Sequence, residues 1–325
     1  MFGLTFLSAT SKTTTHRKVP FTFGGTLINA VAGYVAGGYD SGQISGIDKV
    51  TFPLDTKTTL SATLTTGRNS GTGFANSATA GYNAGGNDSG GNVSGIDKVT
   101  FPADTKTTLS ATLTTARNAP AGFANSGIAG YVAGGADSGG NISGIDKIAF
   151  PADTKTTLSA TLSVLNNRAT GFANSGTAGY SAGGSNAGGR VSAIDKIAFP
   201  AETRTTISAT LTAGVADAAG FANSGVAGYV AGGNLPSVPL NYIDKITFSA
   251  DTKTTLSATL TTARANVSGF ANSGIAGYVA GGVDSGGNIS GIDKVTFPAD
   301  TKTTLSATLT TARGSTASFA DSGTL

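Results

Sequence analysis

Short apolar runs along the chain are broken by Gly, Asn, Asp, Ser and Thr every few residues, and no stretch keeps a 3.6-residue apolar period long enough to make a helix. The segment from Gly122 reads GFANSGIAGYVAGG, then ADSGGN, then ISGIDKIAFPADTKTTLSATLSV. Its Phe, Tyr, Ile, Val and Thr favour extended structure, and four short strands fit it: 123–129, 131–133, 142–150 and 156 to about 163. Gly134-Gly135 ends the second strand. The Pro-Ala-Asp-Thr-Lys stretch at 151–155 separates the last two, because Pro fixes φ and Asp bonds its own backbone.

The same pattern returns at a fixed step. Ile-Asp-Lys begins at Ile47, Ile96, Ile145, Ile194, Ile243 and Ile292, 49 residues apart. Phe74, Phe123, Phe172, Phe221, Phe270 and Phe319 keep that step, and Gly pairs open at Gly37, Gly85, Gly134, Gly183, Gly232 and Gly281. Four strands in about 50 residues, repeated, predict the blades of a β-propeller. The chain ends on Phe319-Ala-Asp-Ser-Gly-Thr-Leu325, a copy of a first strand alone. At the other end, Leu4-Thr5-Phe6, Lys12-Thr13-Thr14 and the Arg17, Pro20, Phe23 spacing match later parts of the unit. The two ends are therefore expected to build one composite blade: 1–24 as its outer strands, 25–313 as six repeats, and 317–325 as the inner closing strand. That arrangement predicts seven blades, with six as the alternative, and leaves no open sheet edge.

The aliphatic-Tyr segment running into Gly134-Gly135, the Phe101-Pro102-Ala103-Asp104-Thr105 turn and Arg117 ahead of the next strand resemble kelch repeats over nearly the whole chain. The departure is the missing Trp, with Leu109 near where the indole would pack. The Ile-Asp-Lys and Gly-Tyr-x-x-Gly-Gly arrays also resemble those of bacteriophage virion proteins, cyanophages especially. That second resemblance implies a virion location and a tail-fibre, adhesin or other appendage role; a cytoplasmic kelch-type adaptor is the alternative.

Composition narrows the chemistry. Cys is absent, His16 is the one His and Glu202 the one Glu, so kelch-type metal oxidase chemistry, zinc motifs and Ser-His-Asp catalysis lack their residues, and neither an enzyme nor a cofactor is expected. The net charge of +3 is spread evenly, which argues against nucleic acid as a partner. No apolar run reaches the roughly 18 residues of a membrane span, and residues 1–10 have no charged stretch ahead of their apolar patch, so neither membrane insertion nor a signal peptide is expected.

The strand Asp residues (Asp48, Asp97, Asp146, Asp195, Asp244, Asp293) read as structural acceptors, because a buried charge needs partners. Asp104 and Lys106, which change together to Glu202 and Arg204, read as a local pair in the turn. The Asp-Ser-Gly-Gly-Asn loops, which include Asp137 and Asn141, carry one carboxylate each. That is too few for Ca²⁺, and an Asx turn explains them. Copies differ most after the Gly pair and before the recurring Phe, two loops that emerge on one face. That face is the expected binding surface, with Arg190, Asn234, Tyr242, Arg117, Asp137 and Asn141 as candidate contacts to a host-surface glycan or a neighbouring virion protein.

Overall fold

A computed structural model of the chain describes residues 31–321, and it is all β. Blade 3 shows how the unit folds. Its innermost strand Ala121–Asn125 pairs with Ala129–Ala133, that with Gly144–Ala149, and that with the outer strand Thr154–Thr161, all antiparallel. The second strand starts at Ala129, two residues before the expected position, because the first hairpin closes tightly through Ile128 N to Asn125 O at 3.0 Å. Blades 2, 4, 5 and 6 repeat this order from innermost strands Thr72–Asn76, Thr170–Asn174, Ala219–Asn223 and Ser268–Asn272.

Blade 1 is the composite one. Ala32–Ala36, Ile47–Thr51 and Thr56–Thr59 supply three strands, and Ala317–Ala320 from the far end supplies the innermost. Phe319 stands opposite Tyr34, the register of Phe123 opposite Tyr131 in blade 3. Each innermost strand contacts those of its two neighbours, and Ala317–Ala320 contacts blades 6 and 2, so the ring closes. The described residues therefore form six blades, which corrects the count of seven. The C-terminal strand completes the first repeat instead of founding a further blade. The position eight residues before Tyr34 holds Thr26 where other units have Phe, whereas Phe319 brings a fully buried ring that stacks on Tyr34 at 5.2 Å. The expected outer strands at 1–24 lie outside the described residues.

Neighbouring blades meet through aromatic rings and glycine. Phe74 of blade 2 lies flat against Gly130 of blade 3; a Cβ on Gly130 would sit 2.0 Å from the ring. The Gly before each core Tyr is thus a slot for the preceding blade's Phe. Beside it, Phe74, Tyr82 and Phe150 stack across the seam, with Phe74–Tyr82 at 5.0 Å and Tyr82–Phe150 at 5.2 Å. Such pairs add about 0.5–1.5 kcal/mol beyond area burial. Leu109 is half-buried against this cluster.

The turn carboxylates do not pair locally. Asp104 of blade 2 accepts from Tyr34 Oη at 2.8 Å and Lys49 Nζ at 2.7 Å, both on blade 1. Lys106 instead donates to Thr65 and Thr108 and lies 3.7 Å from Asp97. The Tyr-Lys-carboxylate staple recurs at all six seams, ending with Tyr278 and Lys294 on Asp55. In blade 4, Glu202 takes the acceptor role and Arg204 moves with Lys106's duties, reaching Thr161 O and Thr206.

The strand Asp residues are structural, as the sequence indicated. Asp146 accepts from Thr114 N and Oγ1, Thr157 Oγ1 and Arg117 Nη2. At Asp48, Asp97 and Asp293, burial pushes the pKa up, but hydrogen bonds from two threonines and the charge of a buried arginine outweigh it and hold it below the usual carboxylate range. The matching arginine is present at Arg68, Arg117, Arg264 and Arg313 and gives way to Asn166 and Val215 at the seams entering blades 4 and 5.

Candidate functional site

The two faces of the ring are built differently. One carries the tight inner hairpins and the carboxylate turns, and its uniformity follows from the staples. The other carries the loops between second and third strands and the connections between blades.

On that loop face the connections converge on the axis. Ser70, Ala119, Arg168, Asp217, Asn266 and Ser315 occupy equivalent places, and all six are left-handed, with φ between 49° and 60°. Glycine adopts this conformation freely, while other residues give up about 1–2 kcal/mol. None of the six is Gly. Their backbones form a collar: Ser70 N donates to Ser315 O, Ala119 N to Ser70 O, Arg168 N to Ala119 O, Asp217 N to Arg168 O and Ser315 N to Asn266 O. Between blades 5 and 6 the link slips by one residue, to Val267 N and Asp217 O at 3.4 Å.

Inside the collar a funnel of about 110 Å³ descends past Thr72, Thr170, Ser268, Thr316 and Ser318. The innermost strands close it. A Cβ on Gly171 would come 2.1 Å from Gly122 O, so the strands approach as nearly as backbone permits.

Charge on the collar is confined to blades 4 and 5. Arg168 Nε donates to Asp217 Oδ1 at 2.8 Å, and Nη2 stands 2.7 Å from Oδ2 as a charge contact. Asp217 is 9% exposed at its side chain; burial pushes its pKa up, partly offset by Arg168 and Arg190. Arg190 approaches from the blade-4 hairpin Ser185–Asn186 and Gly189–Arg190. Ser185 pairs with Asn167, next to Arg168, while the Arg190 backbone abuts Gly214, three residues before Asp217. Among the described residues, every other Lys and Arg has a carboxylate within 4.0 Å. The Arg190 side chain makes neither an ion pair nor a hydrogen bond, and its Nε is buried. Asn92, Asn141 and Asn288 hold the equivalent place in other blades and donate to the next blade's Ala136 O, Ser185 O and Tyr39 O.

The expected contact residues are thus scattered in role. Arg117 is 2% exposed and engaged with Gly134 O, Gly144 O and Asp146 inside the blade 2–3 seam. Asp137 Oδ1 accepts from Gly139 N, the Asx turn foreseen for these loops, and Asn141 clamps the next blade. Asn234 and Tyr242 are half-buried, with Asn234 Oδ1 and Tyr242 Oη shielded and unbonded. Tyr242 stands where other units have Gly or Ala, at the seam whose arginine is Val215. Sequence reasoning missed Arg168 and Asp217. The signal was there: at the 49-residue step their position reads Ser, Ala, Arg, Asp, Asn, Ser, with opposite charges in adjacent copies.

Among the described residues, no three of His, Cys, Asp and Glu gather as metal ligands. No protein-family model matches the chain, and no curated protein does either.

Proposed function

We propose that the chain is a non-catalytic binding module of the kelch-like kind, a rigid ring that presents its loop face to a ligand. Within that reading it serves as part of a virion appendage such as a tail fibre or adhesin, and the ligand is a host-surface glycan or a neighbouring virion protein. One observation carries the proposal. The turn face commits its charged side chains to holding blades together in every copy, whereas the loop face has an axial funnel and side chains that differ from copy to copy. Rigid scaffolds place recognition on such loops.

The test is glycan-array binding and host-cell attachment by the whole chain, compared with two single variants: Arg190→Ala on the loop face and Ile128→Asp on the turn face. Loss with the first alone supports the reading, and loss with the second alone inverts it. A second reading, a protein-binding adaptor using the turn face, is favoured by one feature: Ile128, Val226 and Ile275 stand about half exposed at the inner hairpins around the axis.

A further inference from the structure

Three departures from the repeat fall together between blades 4 and 5, one lining the funnel mouth and two beside it. The seam arginine is replaced by Val215. The Asn that clamps the next blade is replaced by Arg190, which donates to nothing. The collar position carries Arg168 and Asp217 where blades 1, 2, 3 and 6 have Ser or Asn or Ala. A partly buried cation without a partner is costly to keep, and elsewhere in the described ring the chain provides one for every Lys and Arg.

We propose that this mouth binds the carboxylate of a terminal acidic sugar, a uronic or sialic acid, with Arg190 and Arg168 as the cationic side and the collar and funnel hydroxyls receiving the ring. The inference rests on the loop-face reading above and names its ligand class. Charge favours a monoanion. Arg168 and Arg190 with Asp217 leave one net positive charge, which a carboxylate balances and a dianion would overshoot. Geometry favours a planar anion. Arg168 spends its Nε and Nη2 edge on Asp217, while Arg190, beside the funnel and within charge reach of both, has its Nε buried and only its two terminal nitrogens left to meet a carboxylate. Size favours a single residue. The cavity of about 110 Å³ is below the roughly 150 Å³ that encloses one benzene ring, so it takes one edge of a terminal residue, with the rest of the sugar standing at the mouth. The lining favours a sugar over a bare anion, because Thr72, Thr170, Ser268, Thr316 and Ser318 put hydroxyl oxygens along the wall; Thr316 already donates to Ser268 and Ser318 to Gly269 O, so these two offer a sugar acceptor lone pairs.

The experiment titrates the whole chain, by calorimetry and by saturation-transfer NMR, with methyl glucuronide, the methyl glycoside of N-acetylneuraminic acid, methyl glucoside and inorganic sulfate. An acidic sugar is expected to bind at least tenfold more tightly than methyl glucoside and than sulfate. Arg190→Ala should weaken it tenfold or more with an unchanged melting curve, since Arg190 holds no structural partner. Arg168→Ala should weaken it too, and Arg190→Lys should recover only part of the affinity because it lacks the planar fork. Sulfate binding as tightly as the acidic sugars would overturn the sugar assignment. Neutral glycans binding equally well, with Arg190→Ala without effect, would overturn this inference and leave the loop-face reading standing. Binding lost only in Ile128→Asp would sink both.

Discussion

Tyr34 of blade 1 donates its hydroxyl to Asp104 of blade 2 at 2.8 Å, and Lys49 completes the contact from beside the same ring, with its Nζ 5.4 Å from the Tyr34 centroid. The pairing joins residues 70 positions apart and is repeated with the same partners, or with Glu202, around the ring.

These tyrosines make the fold sensitive to alkali. Burial first, then the hydrogen bond to the neighbouring carboxylate and its charge, push Tyr34, Tyr82, Tyr131, Tyr180, Tyr229 and Tyr278 well above the ordinary value of about 10. A folded pKa above the unfolded one gives stability that is intact below about pH 10 and falls as pH rises beyond it. Six such groups lose up to about 8 kcal/mol per pH unit. The ring is expected to unfold sharply above about pH 10, with phenolate absorbance and loss of β-sheet circular dichroism rising together. More than two equivalents of phenolate, the number of tyrosines outside the staples (Tyr39 and Tyr242), in a chain that stays folded at about pH 10 would refute this.

The seam into blade 5 predicts a compensating pair. Arg117→Val should destabilise the fold by about 3–5 kcal/mol, because Asp146 keeps its threonine donors but loses its buried countercharge. Adding Gly144→Tyr copies the Val215 and Tyr242 combination into blade 3, where a Cβ at Gly144 meets nothing within 4 Å. The double variant should regain about 1 kcal/mol or more in denaturant melts. Strict additivity would mean that Val215 and Tyr242 are unrelated.

Three glycines separate close approach from backbone conformation. Gly130→Ala drives a methyl into the Phe74 ring and should cost about 1–3 kcal/mol. Gly134→Val combines φ +66° with an approach of 2.5 Å to Asn166 O and should cost at least as much, roughly 1–3 kcal/mol from strain alone. Gly144→Ala has neither problem and should be neutral within about 0.5 kcal/mol. Equal effects across the three, measured by thermal unfolding, would remove the distinction.

Ring closure is tested by deleting residues 318–325. Ala32–Ala36 then loses its innermost partner, and Gly81 loses the Phe319 ring that fills its slot. Loss of a single cooperative transition and self-association are the expected results, with recovery by a synthetic peptide covering 315–325. A truncated chain that melts as the full one does would show that Phe319 contributes nothing to closure.

Much of the fold was legible because a 49-residue period with Phe, Tyr and Ile at fixed places leaves few alternatives to stacked four-stranded units. What period alone hides is which copy a residue touches. Asp104 and Lys106 change in concert and lie two apart, so a local pair was the natural reading, yet Asp104 bonds Lys49, 55 residues back. The blade count failed the same way: six copies of the innermost strand motif do not say which sheet Phe319 joins. At the candidate site, Arg190 stood out as a departure from Asn, and the opposite charges of Arg168 and Asp217 were legible at the 49-residue step, but that they touch is set by the collar, which brings adjacent copies side by side.

The staples all run in one rotational sense, each copy lending its tyrosine and lysine to the carboxylate of the next. A copy therefore cannot diverge on its own, since a change in one acceptor is felt by the donors of its predecessor. Whole units, by contrast, carry one donor set and one acceptor, so exchanging one complete unit for another leaves every staple matched. Near-identity of the strands from copy to copy is what keeps the staples interchangeable, while the loops above them, which carry no staple, are free to differ.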